Sequence, residues 1–209
     1  MSLDFDSARL PNKSLTPEHH EWRSQLRRFF DREVIPYAAQ WDEDGHIPDE
    51  LWPKAAAVGI LGLGYPEEFG GVSEGIDLWY SIILNEEMAR VAVGGVGATL
   101  MVHGIGLPPV INFASDEVKQ MVAPPVLAGT KRISLAITEP GAGSDVAHLT
   151  TTARLDGDHY VVNGSKTYIT GGMNANWFTT AVRTGGEGAS GVSTLLIPAD
   201  TEGVSRTAL

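Results

Sequence analysis

The chain has 209 residues, of which 43% are hydrophobic and 20% are charged, so it can bury a core as one large domain or two small ones. Its formal net charge of −11 argues against nucleic acid as a partner, because phosphate backbones are bound by clustered Lys and Arg. The sequence contains no cysteine, which excludes disulfides, thiolate metal sites and a cysteine nucleophile. We expect a cytoplasmic protein.

Two features bear on targeting and membranes. Asp4 and Asp6 lie where a secretory leader needs basic and then apolar residues, so we expect no signal peptide. The most apolar stretch, residues 91–114, is interrupted by five glycines and by Pro108-Pro109. These interruptions favour a buried helix that breaks at the two prolines over a membrane span.

Helical patterns dominate the first 130 residues. Thr16-Pro17 predicts a helix start, and apolar residues follow it at helical spacing as far as Val34. In the third helix we expect Leu78 to face the core, together with Ile82, Ile83 and Met88. The predicted helices begin at Pro17, at Pro48 (ending before Gly59), at about Asp77 (ending near Val91), at residue 93 (ending at 107) and after Ser115 (ending at Leu127).

From Arg132 onward, strand signals replace the helical spacing. Asp156-Gly157 predicts a tight hairpin turn, and residues 185–191 are rich enough in glycine to predict a flexible connection. Strands are predicted over residues 133–138, 151–155, 159–162, 166–170, 178–183 and 192–197. We therefore predict an α+β fold: an all-α domain over 1–130 and an antiparallel β-barrel or sandwich domain over 131–209, truncated at an open edge.

Residues 133–138 and 166–170 each end in a threonine that precedes a glycine-bearing loop. Two such ends side by side would gather hydroxyl groups, free backbone N–H groups and the ring of Tyr168 around one cleft. On a strand, Tyr168 and Thr170 share a face because they are two residues apart. A flat, phosphate-bearing ligand such as a flavin suits this cleft. Considered singly, the loop can equally be a plain glycine turn, and each threonine an ordinary strand residue.

The remaining polar residues suggest no catalytic group. The histidines lack metal-ligand spacing, so we predict no metal site. We expect His19-His20 to be solvated and His103 to be a core histidine. Glu86-Glu87 is interpreted as a helix-surface or packing feature, and we find no convincing general base.

The segment 138–145, Thr-Glu-Pro-Gly-Ala-Gly-Ser-Asp, followed by Asn163-Gly164-x-Lys166 and Tyr168-Ile169-Thr170, resembles the flavin-binding signature of the acyl-CoA dehydrogenases. Residues 59–71 and 86–90 are similar to other segments of that family. The resemblance covers nearly all of the chain in the same order.

This resemblance implies an N-terminal helical domain, a middle β domain and a C-terminal four-helix domain that the chain lacks. It implies FAD-dependent α,β-dehydrogenation of an acyl-CoA thioester in fatty acid metabolism, with electrons passed to an electron-transfer flavoprotein. It also implies a homo-oligomer, a dimer or a tetramer. The family's catalytic glutamate, which removes the α-proton, and part of the adenine site are expected beyond Leu209.

The resemblance also implies roles for individual residues. At the FAD ring, the implied contacts are backbone groups of Leu135 and Ile137, with Thr138 at the pyrimidine edge. Gly143 and Ser144 are implied at the phosphate or ribityl region. Tyr168, Ile169 and Thr170 are implied on the other side of the ring, with Thr170 near N5. The implied substrate contacts are Ser144 at the CoA portion, and Met101 and Val102 at the acyl pocket. The family often has tryptophan at the position of Tyr168.

Two alternatives stay open. The complete protein could be a relative that uses oxygen, either an oxidase or a flavin monooxygenase. The chain as given could also be a non-catalytic fragment, and we expect it to retain flavin poorly because half of the implied site is missing.

Overall fold

The computed structural model describes residues 5–6 and 9–208, so the interpretations of Asp4 and Leu209 lie outside the described residues. The chain forms two compact units: Met1–Met101 with Pro124–Thr130, here called the helical unit, and Val102–Ala123 with Lys131–Leu209, here called the β unit. The helices are α1 Pro17–Phe29, α2 Ala38–Asp44, α3 Leu51–Val58, α4 Leu78–Met88, α5 Gly94–Leu100, α6 His103–Gly106, α7 Pro108–Phe113 and α8 Asp116–Leu127. The strands are β1 Ile133–Ala136, β2 Thr152–Asp156, β3 His159–Asn163, β4 Trp177–Arg183 and β5 Val192–Pro198.

Helix α1 begins where Thr16-Pro17 predicts it. Proline suits the first helical position because the N–H that it lacks would have no partner there. A π-helical turn, Phe30–Val34, extends the helix to the predicted end of the apolar stripe. The stripe is buried as expected, and its members are Trp22, Leu26, Phe29, Phe30 and Val34. Helix α2 follows without having been predicted.

The predictions for the next two helices are partly confirmed. Gly59 ends α3 with a φ of +93°, a conformation that glycine adopts without a steric cost. On α4, however, Leu78 is 73% exposed, whereas Ile83 and Leu84 are buried. Because each residue advances a helix by about 100°, Leu78 lies about 140° around the axis from Ile83 and cannot share its face. The expectation that Leu78 is buried is therefore wrong.

Two polar residues of the helical unit are buried: His19, which was expected to be solvated, and Glu87, for which packing was one of the two interpretations. His19 is 3% exposed and its Nε2 lies 3.0 Å from Asp77 Oδ1, while its Nδ1 accepts a hydrogen bond from the Thr16 N–H at 3.0 Å. Glu87 is 0% exposed and is contacted by arginine side chains. Hydrogen-bond partners replace water at both residues, so the expectation that His19 is solvated is wrong.

The apolar stretch is not one helix that breaks at the prolines. The break comes earlier, at Met101 and Val102, and Pro108 instead begins α7. In the described part of the chain no single helix is long and apolar enough to cross a membrane; Gly94–Leu100 and His103–Phe113 pass only as a bent pair, by length and composition.

Helix α8 continues through Pro124 and Pro125 to the predicted end at Leu127. Gly129 follows with a φ of +72°, and a Cβ at this position would lie 2.4 Å from the backbone of Trp52. The chain therefore needs glycine here for both conformation and close approach.

The β unit contains a five-stranded sheet in the order β1-β4-β2-β3, with β5 also paired to β4. The Asp156-Gly157 hairpin is confirmed, with Asp156 opposite His159, and β4 and β5 are antiparallel as well. However, β1 runs parallel to β4, and β2 meets β4 in parallel at Thr152 and Arg183. The α+β class is confirmed, but within the described residues the sheet is mixed and not a closed antiparallel barrel. A long crossover joins β1 to β4, so no hairpin dictates their relative direction.

Candidate functional site

The two segments that were expected to form a cleft do lie together in the β unit. Ser134 Oγ donates to the Thr170 carbonyl at 2.8 Å, and the Thr167 N–H donates to the Thr138 carbonyl at 2.9 Å. Because residue 134 meets 170 while 138 meets 167, the segments run in opposite directions. Their threonine ends are consequently at opposite ends of the contact and not side by side.

Residues 166–170 are not a strand, so that prediction is wrong. Tyr168 has a φ of +56°, the only positive φ among the described non-glycine residues, and it is 79% exposed. The face shared by residues i and i+2 exists only in extended backbone, so the argument that Tyr168 and Thr170 point the same way fails. A bulky side chain in this conformation costs about 1–3 kcal/mol and is typical of binding and active sites.

The backbone beyond Tyr168 is held in place. The Gly172 N–H donates to the Ile169 carbonyl at 2.9 Å, and Gly171 adopts a φ of +68°. A Cβ at Gly171 would lie 3.4 Å from Ser134 Oγ and 3.6 Å from Val102 Cγ1. Val102 is therefore beside the turn that follows Thr170.

Helix α6 lies against strand β1, which contains Ser134. A Cβ at Gly106 would lie 3.3 Å from the Ile133 carbonyl oxygen, and Thr179 Oγ1 donates to the Gly106 carbonyl at 2.6 Å. Met101, the other residue expected at the acyl pocket, belongs to the helical unit and packs against its apolar core.

Glu139 is the most constrained group of the site, with 5% of its surface exposed. Its Oε1 accepts from Lys166 Nζ and from the Thr151 N–H, both at 2.8 Å. Its Oε2 accepts from the N–H and the hydroxyl of Thr150, at 2.6 and 2.8 Å. Burial by itself would raise the pKa of Glu139, but Lys166 and the loop N–H donors outweigh it and hold that pKa well below its usual range. The carboxylate stays charged.

Sequence reasoning missed this role of Glu139 and Lys166. Both residues stand in the motifs that carry the family resemblance, but their 27-residue separation gives no local sign of a contact. Lys166 Nζ also donates to the Ile137 carbonyl at 2.8 Å. The backbone of Ile137 was predicted to contact the flavin ring, and its carbonyl already has a partner within the protein.

The glycine loop begins with a tight turn. The Glu139 N–H donates to the Ala142 carbonyl at 2.8 Å, and the Ala142 N–H donates back at 3.2 Å. A Cβ at Gly141 would meet nothing within 4 Å, and one at Gly143 would meet only the Thr138 Cγ2, at 4.0 Å. Packing within the protein does not demand these two glycines. They leave open space beside the backbone, which is what close approach of an anionic ligand requires.

Arg183 connects the turn that follows this loop to residues 185–191. Its Nη2 and Nε donate to the carbonyls of Ala147 and Leu149, at 2.7 and 3.1 Å. Its Nη1 donates to the Gly188 carbonyl at 3.1 Å. A Cβ at Gly191 would overlap the Gly186 oxygen at 1.9 Å. Residues 185–191 therefore form a tightly closed turn, and the flexibility expected from their glycine content stays a prediction.

The exposed surface next to Ser144 carries one further polar pair. Asp145 Oδ2 and His148 Nδ1 lie 2.6 Å apart, and both side chains are mostly exposed. Across the residues that the structure describes, no three His, Asp or Glu side chains are grouped to hold a metal ion. His103 is 5% exposed, as expected for a core histidine.

Comparison with known proteins gives the same family along both parts of the chain. The family model described as "Acyl-CoA dehydrogenase, N-terminal domain" matches residues 16–130, and the one described as "Acyl-CoA dehydrogenase, middle domain" matches residues 134–209.

Individual relatives agree. A crystal structure of a probable acyl-CoA dehydrogenase from Mycobacterium abscessus is 46% identical, covers 90% of this chain and 50% of its own, and has a TM-score of 0.85. A probable acyl-CoA dehydrogenase of Mycobacterium bovis is 37% identical over 95% of this chain and 49% of its own length. A crystal structure of a Bacillus anthracis acyl-CoA dehydrogenase complexed with FAD is 31% identical, covers 95% of this chain and 34% of its own, and has a TM-score of 0.80.

The chain spans about half the length of the curated relatives that it matches. The match of the N-terminal model alone extends over more than half of the 209 residues. The chain therefore belongs to the acyl-CoA dehydrogenase family, of which it carries the N-terminal and middle domains.

Proposed function

We propose that this chain provides the FAD-binding cradle of an acyl-CoA dehydrogenase, and that the whole protein dehydrogenates an acyl-CoA thioester between its α and β carbons. The observation that carries the proposal is Tyr168, an exposed aromatic ring on strained backbone, whose neighbour Thr167 is hydrogen-bonded to the residue that precedes the Glu139 turn of the glycine loop. Strain of this kind persists where the surrounding structure holds it for a purpose such as ligand binding.

The described residues fit FAD in three respects. The open backbone at Gly141 and Gly143, with the exposed Ser144 hydroxyl, suits a phosphate group. The Tyr168 ring can stack against an aromatic system. The Glu139 charge is balanced by Lys166, so this carboxylate does not repel an anionic ligand even though the chain is acidic overall.

In this proposal, bound FAD supplies the two-electron acceptor. Thr138, Ile169 and Thr170 orient the ring at its edges, and backbone groups of Leu135 and Ile137 complete the contact. Val102, buried beside Gly171, excludes water from this end of the site. Met101, Val102 and Ser144 remain predicted substrate contacts.

The remaining parts of the function are predictions about the complete protein. They comprise the catalytic glutamate beyond Leu209, transfer of electrons to an electron-transfer flavoprotein, a dimer or tetramer, a place in fatty acid metabolism and a cytoplasmic location.

The direct test is an FAD titration of this chain, followed by protein and flavin fluorescence. We expect weak but saturable binding that Tyr168→Ala reduces, because the ring is lost without any change to the core. Tyr160→Ala, at an exposed position on β3, serves as the matched control and should bind FAD like the wild type. Absence of saturable binding by the wild-type chain would overturn the proposal for this chain and favour a non-binding fragment.

A second experiment separates a dehydrogenase from a relative that uses oxygen. The flavin of the complete protein is reduced with an acyl-CoA and then exposed to air. Slow reoxidation is expected for a dehydrogenase, whereas rapid oxygen consumption would contradict it in favour of an oxidase or monooxygenase.

A further inference from the structure

The ion pair of Glu139 and Lys166 connects segments that are distant in sequence. Lys166 bonds both the Ile137 carbonyl and the Glu139 carboxylate, and the neighbouring Thr167 N–H bonds the Thr138 carbonyl. Residues 137–139, which follow β1, are thus hydrogen-bonded to residues 166–167, which follow β3. This pattern locks the register of the two segments that form the candidate cradle.

The carboxylate adds a third segment. Glu139 accepts four hydrogen bonds: one from Lys166, one from the Thr151 N–H and two from Thr150. A carboxylate has about four lone-pair sites, so its capacity is used in full by the protein. Glu139 is therefore fixed in orientation and has no free site with which to bind a ligand or take up a substrate proton.

Lys166 lies two positions before Tyr168, the strained residue of the site. On the other side of Tyr168, Ser134 Oγ donates a hydrogen bond to the Thr170 carbonyl. A positive φ at a bulky residue persists only when contacts on both sides enforce it. Lys166 is the charged anchor on the N-terminal side of Tyr168.

Stability alone does not explain why charges are used here. The side chains of Lys166 and Glu139 are only 11% and 3% exposed, and removing two charges from water largely offsets their attraction. Well-packed neutral residues often stabilise a fold as well as a buried ion pair does. The hydrogen bonds of Lys166 and Glu139, in contrast, fix the relative positions of the segments that they join.

We propose that Glu139 and Lys166 are positioning residues for flavin binding, which hold Tyr168 and the glycine loop in their binding geometry while their charges are dispensable for folding. This inference rests on the proposed function. It assigns no contact between either residue and the flavin or substrate, since each acts through the backbone that it holds.

The test uses a double variant, Glu139→Gln with Lys166→Met, which removes both charges at nearly constant volume. The matched control is Asp116→Asn with Lys119→Met, an ion pair on α8 in which Asp116 is 96% exposed. Three quantities are measured for each protein: the urea unfolding midpoint, the Kd for FAD, and hydrogen exchange of the Thr167 amide without FAD.

We expect the double variant to unfold near the wild-type midpoint, to exchange the Thr167 amide faster and to bind FAD about tenfold more weakly, equivalent to about 1.4 kcal/mol. The control pair should match the wild type in all three. A double variant with wild-type FAD affinity and wild-type exchange would overturn the proposal.

A double variant that does not fold would overturn the claim that the charges are dispensable. Lys166→Arg then tests positioning by itself, because it keeps the charge but changes the bond to the Ile137 carbonyl. Faster Thr167 exchange and weaker FAD binding are expected, and wild-type behaviour in both would reject the role. If the wild type fails to bind FAD, the proposed function fails, whereas the exchange measurement still decides the positioning role.

Discussion

Glu87 in the helical unit and Glu139 in the β unit are both buried carboxylates, but their partners differ. Burial by itself would raise the pKa of each carboxyl, but hydrogen bonds from arginines at Glu87, and from Lys166 and a loop at Glu139, outweigh burial and lower both pKa values. Arg23, Arg27 and Arg90 contact Glu87, at 3.1, 2.9 and 3.4 Å. In the described part of the chain, Glu139 is paired with one cation, Lys166, and its other donors are the backbone and hydroxyl groups of a loop.

The two clusters therefore respond differently to loss of a member. The arginines around Glu87 have other carboxylates: Arg27 contacts Asp6 at 2.6 Å, and Arg90 contacts Asp31 at 2.8 Å. Among the described residues, Lys166 hydrogen-bonds, apart from Glu139, only to the Ile137 carbonyl. Helices bring several long side chains to one point, so a helical cluster is redundant. A loop cluster depends on a single cation.

The largest effect is expected for Lys166→Met, which leaves the buried Glu139 charge without its cation and should cost about 3–5 kcal/mol of unfolding free energy. Urea denaturation at neutral pH measures this loss. Lys119→Met is the control, because its partner Asp116 is exposed and the expected change is below about 1 kcal/mol. Equal losses in the two variants would remove the distinction between buried and exposed pairs.

Acid should remove part of the same stabilisation. The folded-state pKa of Glu139 lies below its unfolded value, so the contribution is fully present above about pH 4.5 and is lost as the pH falls through and below that value. We expect the wild type to lose more unfolding free energy between pH 7 and pH 3 than Glu139→Gln with Lys166→Met. Parallel pH profiles for the two proteins would contradict the assignment.

Redundancy in the helical cluster predicts a smaller loss for Arg23→Met. Arg27 and Arg90 still contact Glu87, so the variant loses the Arg23 hydrogen bond to Glu87, worth about 1.5 kcal/mol, and the partly exposed ion pair of Arg23 with Glu86. Thermal and urea unfolding both report this change. A loss as large as that of Lys166→Met would show that the helical cluster is not redundant.

The smallest effect is expected for Tyr168→Gly. Relief of the left-handed conformation exceeds the entropic cost of glycine, for a net gain of about 0.5–1 kcal/mol. Tyr160→Gly, on strand β3, should instead lose stability because no strain is relieved there. A stabilised Tyr168→Gly chain that binds FAD less well would show that stability is given up for binding at this residue. Destabilisation of both variants to the same extent would reject strain at Tyr168.

Much of the fold follows from local chemistry. Thr16-Pro17 begins a helix, Gly59 ends one, and Asp156-Gly157 turns a hairpin, each as predicted. In these cases the deciding contacts are within a few residues, so their pattern is visible in the chain. The apolar stripe from Trp22 to Val34 is equally local, because helical spacing alone places its members on one face.

Leu78 was misplaced by local helix geometry, but the errors in the β unit concern contacts between distant residues. The parallel pairing of β1 with β4 depends on a crossover, and no turn signal encodes its direction. Residues 166–170 carry β-favouring side chains, but contacts with Ser134 and Thr138 hold them as a loop with Tyr168 in a left-handed conformation. Tertiary contacts outweigh the weak intrinsic preference for a strand.

The candidate site divides in the same way. The pattern of threonine-ended segments, together with the motif resemblance, identified the segments around Thr138 and Tyr168 and the kind of ligand to expect there. The antiparallel approach of those segments, the strain at Tyr168 and the Glu139–Lys166 pair arise only when residues 27 positions apart are brought within hydrogen-bonding distance. Local sequence determines which turns and helices can form, whereas the geometry of the binding site depends on long-range packing.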